Sequence, residues 1–116
     1  MHICLDFDGV CTTGESGGTP IHQCVDPPVV GLFKFVENAI RQGFIVSIFS
    51  WRSGDPRGIE AMRLWFLMHG FTPDILEFPS TKPPASVFVD PKSFRFQGDW
   101  PSLKELKLLK VWYKKL

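Results

Sequence analysis

The stretch Ile3-Cys4-Leu5-Asp6-Phe7-Asp8-Gly9-Val10 is a short apolar run that meets two carboxylates and then a glycine. That order reads as a buried strand ending in a turn, with two acids at the strand's carboxyl end. The ending recurs downstream. Phe44-Ile45-Val46-Ser47-Ile48-Phe49-Ser50 is near-continuously apolar, as a parallel strand covered on both faces would be, and runs into Trp51-Arg52-Ser53-Gly54. Ile75-Leu76-Glu77-Phe78 is a short candidate strand, and Ser86-Val87-Phe88-Val89-Asp90 is a better one that again stops at a carboxylate, before Pro91.

Helical patterns separate these strands. Pro28 stands where a helix would start, and Val29, Leu32, Phe33, Val36, Ala39 and Ile40 recur at helical spacing until Gly43. Asp55-Pro56 supplies an N-cap and a first-turn proline for a second helix carrying Ile59, Met62, Trp65, Phe66 and His69, which Gly70 ends. Phe94-Arg95-Phe96 alternates like an edge strand before a Gly98-Asp99 turn. Pro101 and Ser102 then open a last helix with Leu103, Leu106, Leu109 and Trp112, whose lysines form a solvated face. Residues 11–28 are rich in Gly, Thr, Ser and Pro without a sustained period, which predicts a loop or loose hairpin able to act as a flap beside Gly9.

Strands alternating with helices predict an α/β domain, a Rossmann-like parallel sheet flanked by helices with right-handed crossovers. The 116 residues suit a single domain spanning 1–116. Apolar residues make up 44% and charged residues 22%, which excludes disordered, collagen-like and coiled-coil classes. Lys+Arg 13 against Asp+Glu 12 leaves a net charge of +1, so bulk electrostatics indicate neither nucleic acid nor an anionic membrane as partner. No apolar run approaches the roughly 20 residues of a membrane span, and no basic export signal opens the chain. Cys4, Cys11 and Cys24 lack CxxC spacing and suit reduced thiols, hence an expectation of a cytoplasmic protein.

Ligands of such sheets bind at the carboxyl ends of the strands, where this order gathers Asp6, Asp8, Ser50 and Asp90, with Lys82 just before the last strand. Carboxylates brought together repel one another unless a cation neutralises them or some protonate, and oxygen ligands without a His or Cys cluster favour Mg²⁺.

At these residues the chain resembles the haloacid dehalogenase (HAD) superfamily. LDFDGV at 5–10 is similar to the family's first motif, DxDG followed by Val or Thr. Ser50, Lys82 and Asp90 are similar to the second-motif hydroxyl, the third-motif base and the fourth-motif acid, and FRFQGDW resembles a segment of small capless members. The resemblance implies a Mg²⁺-dependent phosphatase acting on a phosphate monoester. Asp6 would be the nucleophile, Asp8 the acid and base, and Lys82 would offset charge. Ser50 and the backbone N–H groups of the loop at Gly9 would bind the phosphoryl oxygens, and Arg52 is placed to reach a substrate group, with solvent as its alternative. Mg²⁺ would bridge Asp6, the Asp8 carbonyl and Asp90.

Many relatives place a second acid after the fourth-motif Asp, whereas here Pro91 and Lys92 follow, and Asp99 is the remaining candidate. The chain has no room for the large cap insertions of many relatives, so the flap alone would cover the site. An open site suits a phosphorylated small molecule or an exposed macromolecular phosphate. The alternatives are a non-catalytic HAD-fold binding or regulatory module and a phosphatase of nucleic-acid ends. The last helix, with Leu and Trp on more than one face, permits a homo-oligomer without requiring one.

Overall fold

The computed structural model describes residues 1–90, 100 and 102–104. Three parallel strands, β1 (His2–Leu5), β2 (Ile45–Ile48) and β3 (Val87–Val89), form a sheet in the order β2-β1-β3. Register pairs Leu5 with both Ile48 and Val89, so the three strands end level with one another. Between them lie two helices, α1 (Leu32–Arg41) and α2 (Pro56–Met68).

Because successive strand residues face opposite sides, Ile3, Leu5, Val46, Ile48, Val87 and Val89 point one way. They share a buried cluster with Leu32, Phe35, Val36 and Ala39 of α1 and Met62, Trp65 and Phe66 of α2. On the other face Cys4 lies between Ser47 and Phe88. Ser47, fully buried, sits 2.6 Å from His2 Nε2 and donates to Glu77 Oε2 at 3.3 Å. Among the described residues no helix is long and apolar enough to cross a membrane.

The second helix forms as its sequence predicts. Asp55 caps it by accepting from Arg57 N at 2.8 Å, Pro56 occupies the first turn, and Gly70 follows the end at φ 79°. The first helix begins later than expected. Pro28 instead pairs with Thr12 across the base of the 11–28 loop, and Val29 N donates to Cys11 O at 2.9 Å. The chain must then turn through Gly31, at φ 90°, before Leu32 enters the helix.

The expected strand at 75–78 also contracts. Pro73–Ile75 forms a short 3-10 turn, which leaves Glu77 as an isolated parallel bridge to Ser47 at the outer edge of β2. The Phe94–Phe96 strand, the Gly98-Asp99 turn and the last helix beyond Lys104 lie outside the described residues; Leu103 and Lys104 are helical.

Candidate functional site

The site starts at the turn after β1. Asp8 (φ −68°, ψ 123°) and Gly9 (φ 83°, ψ −2°) take the two central positions of a type II turn, whose second position requires the left-handed backbone that glycine adopts freely. Thr12 N closes the wider Phe7–Cys11 turn onto Phe7 O at 3.1 Å. Phe7 anchors it from below, fully buried with its ring edge-on to Trp65 at 5.1 Å. With that side chain committed to the core, the carboxylates on either side emerge at the strand's end.

Asp6 N donates to Val89 O at 3.0 Å, which ties the start of the turn to the end of β3 just before Asp90. Burial pushes the Asp6 carboxyl up to about 6. The Phe7 N–H, 2.8 Å from Oδ1, opposes that shift, and the charges of Asp8 and Asp90 add to it. Asp6 therefore feels both of the other carboxylates. Cys4 reports the same field: burial and then Asp6 push its thiol up to about 12, Lys82 acts in the opposite sense, and Asp90 adds to the rise. The Lys82 ammonium itself rests 4.5 Å from the centre of the Phe88 ring.

Asp8 is held by two neighbouring side chains. Arg52 Nε donates to its Oδ2 at 2.9 Å and Arg52 Nη2 to its Oδ1 at 3.1 Å, while Trp51 Nε1 reaches Oδ2 at 3.0 Å. A carboxylate offers about four acceptor positions, two on each oxygen. Among the described residues both on Oδ2 are occupied, and one remains on Oδ1.

Arg52 takes a place that neither substrate reach nor solvent describes. It is 1% exposed and also donates to the carbonyls of Pro20, Ile21 and Gln23 and to Thr19 Oγ1, at 2.8 to 3.0 Å. Asp8 and the flap thus engage every nitrogen of the guanidinium, which has five N–H donors in all. Ser50 is likewise committed. Its Oγ caps the Trp51–Gly54 turn by accepting from Arg52 N at 3.1 Å and lies 3.5 Å from Met62 Sδ, while its N–H donates to Ser53 Oγ. Gly58 lets α2 approach this turn, since a Cβ there would stand 2.1 Å from the Arg52 carbonyl oxygen.

The structure therefore gathers Asp6, Asp8 and Asp90 electrostatically, leaves Lys82 in the same field, and turns Ser50 and Arg52 to inward contacts. Trp51 lies 58% exposed with its indole N–H on Asp8. Its place directly after a strand end and beside Arg52 is visible in the sequence. Among the described residues, no group of three or more His, Cys, Asp or Glu side chains is arranged to hold a metal ion. Comparison with protein-family models, curated proteins and solved structures found no match to this chain.

Proposed function

We propose that this chain is a capless HAD-like phosphatase that hydrolyses a phosphate monoester through Asp6. The observation that carries the reading is the raised Asp6 carboxyl at a strand's end, burdened by burial and by the charges of Asp8 and Asp90. Such a group gains from a positive partner. Two carboxylates, Asp6 and Asp90, with the Asp8 carbonyl would hold Mg²⁺, a set that needs fewer than three side chains. Bound there, Mg²⁺ would neutralise phosphoryl charge.

The chemistry of the chain's own residues follows. An Asp6 oxygen attacks phosphorus, the bond from phosphorus to the leaving oxygen breaks, and Asp8 gives that oxygen a proton. Oδ1 of Asp8, with its remaining acceptor position, is the atom to carry that proton. Asp8 then takes a proton from water, whose oxygen attacks the aspartyl-phosphate and releases inorganic phosphate with Asp6 restored. Lys82 supplies positive charge on the β3 side, where its field already opposes that of the acids.

The test is p-nitrophenyl phosphate hydrolysis with and without Mg²⁺, wild type beside Asp6→Asn. Metal-dependent release that disappears in the variant is the expected result. A folded wild type inactive on this ester and on phosphorylated macromolecules would instead favour a non-catalytic binding module. The inward commitment of the Ser50 hydroxyl is the observation on that side.

A further inference from the structure

Among the described residues Trp51 is the exposed aromatic side chain, it touches the proposed acid, and its ring is fixed rather than loose. The indole N–H is bonded to Asp8 Oδ2 at 3.0 Å, and the Arg52 guanidinium carbon sits over the ring, 4.8 Å from its centroid. Arg52 is itself locked by Asp8 and four flap acceptors, so the ring rests on an immobile support. Trp65, by contrast, is 3% exposed and spends its indole N–H on Asp26 O. With one face on Arg52 and 58% of the residue exposed, Trp51 offers aromatic surface to solvent beside the acid that would protonate the leaving group.

We propose that Trp51 is a stacking platform for the leaving group and that this leaving group is a nucleoside, the substrate class being nucleoside monophosphates. The inference rests on the reading of Asp8 as the acid. A leaving group that takes its proton from Asp8 Oδ1 lies beside the indole whose N–H is bonded to Oδ2 of the same carboxylate. An aryl ester brings a ring but leaves as a phenolate, which needs little help from an acid. A built acid matters most for an alkoxide, and of the alcohols that also carry a flat ring we commit to a sugar bearing a nucleobase. In the overall reaction the bond between phosphorus and the sugar oxygen breaks, water supplies hydroxide to phosphorus, and the sugar oxygen keeps the proton from Asp8.

The experiment compares adenosine 5′-monophosphate with ribose 5-phosphate, which share the leaving primary alcohol and differ by the base. In the wild type with Mg²⁺, kcat/KM should favour the nucleotide by about tenfold, the scale of one base stacked on one aromatic ring. Trp51→Leu should bring the ratio close to one, while Trp51→Phe, which keeps a ring but loses the N–H, should retain most of it. Any effect of the lost N–H on Asp8 divides out of the ratio. A wild-type ratio near one, or a preference unchanged in Trp51→Leu, overturns the platform and leaves the phosphatase standing. If neither ester turns over, the phosphatase reading rests on p-nitrophenyl phosphate and phosphorylated macromolecules as above, and calorimetric titration of the same two ligands decides the platform. Tighter nucleotide binding lost in Trp51→Leu supports it, and equal or absent binding overturns it.

Discussion

Arg52 grips Asp8 through two nitrogens, at 2.9 and 3.1 Å, and gives its remaining N–H groups to the flap, so one buried cation joins the proposed acid to the loop that covers it. A guanidinium suits this place because its fixed planar fork meets a carboxylate bidentately while still serving acceptors on its far edge.

Removing that cation takes a charged donor from Asp8 and from four flap acceptors, although Asp8 keeps the Trp51 N–H, Pro20 O the Gln23 N–H and Gln23 O the Thr19 hydroxyl. Breaking a buried pair from one side costs about 3–5 kcal/mol, and with Asp8 30% exposed the lower end applies. Arg52→Met should lower the urea midpoint accordingly and speed proteolytic cleavage within residues 12–28. Arg52→Lys, whose ammonium cannot serve both edges, should fall between. An unchanged midpoint in Arg52→Met would show that the pair does not hold the flap.

The Asp6 carboxyl, at about 6 in the fold against about 3.9 unfolded, binds its proton more tightly in the native state. Stability therefore declines as pH rises from about 4 to about 6, and the whole penalty, on the order of 3 kcal/mol, is present above that window. Asp6→Asn keeps an acceptor for the Phe7 N–H and carries no charge. With chelator present it should melt above the wild type at pH 7.5 and together with it near pH 4. Equal melting at both values would contradict the burial penalty.

Mg²⁺ should relieve the same penalty. A ligand that binds only the folded state raises stability by about 2.7 kcal/mol at 100 times its Kd. Melting followed at pH 7.5 over a Mg²⁺ series should rise for the wild type and stay flat for Asp6→Asn and Asp90→Asn. A wild type indifferent to Mg²⁺ would remove the metal from the mechanism.

Gly58→Ala sets a methyl against the Arg52 carbonyl, a backbone atom that can yield only if the whole Trp51–Gly54 turn moves. Overpacking of this kind costs about 1–3 kcal/mol. Because that turn carries both donors to Asp8, the variant should lose activity even at temperatures where it stays folded, as paired melting and rate measurements will show.

The three thiols should be inert in the native protein. Burial pushes Cys4 up to about 12 and Cys24 up to about 11, and raises fully buried Cys11 well above the usual thiol range. The thiolate is the reactive form, so a chromogenic disulfide reagent at pH 7.5 should label the cysteines slowly in buffer and rapidly in denaturant. Fast labelling of Cys4 or Cys11 in the native state would show that the β1 end is open.

The strand ends and the second helix were legible because their signals are local: apolar runs closed by Asp6 and Asp90, and Asp55-Pro56 answered by Gly70. The start of the first helix was not, because Pro28 suits both a helix entry and the base of a loop, and only its pairing with Thr12 decides between them. The role of Arg52 was hidden for another reason. Three of its partners are carbonyls of Pro20, Ile21 and Gln23, and a carbonyl is a group that every residue carries. Glu77 was overread as part of a four-residue strand because Pro73 starts a turn that consumes Ile75.

The pairing of β1 with β3 also governs the order of events in folding. Ile3 meets Val87 and Leu5 meets Val89, contacts 84 residues apart in the chain, whereas each helix closes on neighbours within its own turns. Non-local pairings incur the largest loop-closure entropy and form slowly. Asp90 joins Asp6 only when that long loop shuts, so after dilution from denaturant helical signal should return first and Mg²⁺-binding capacity last.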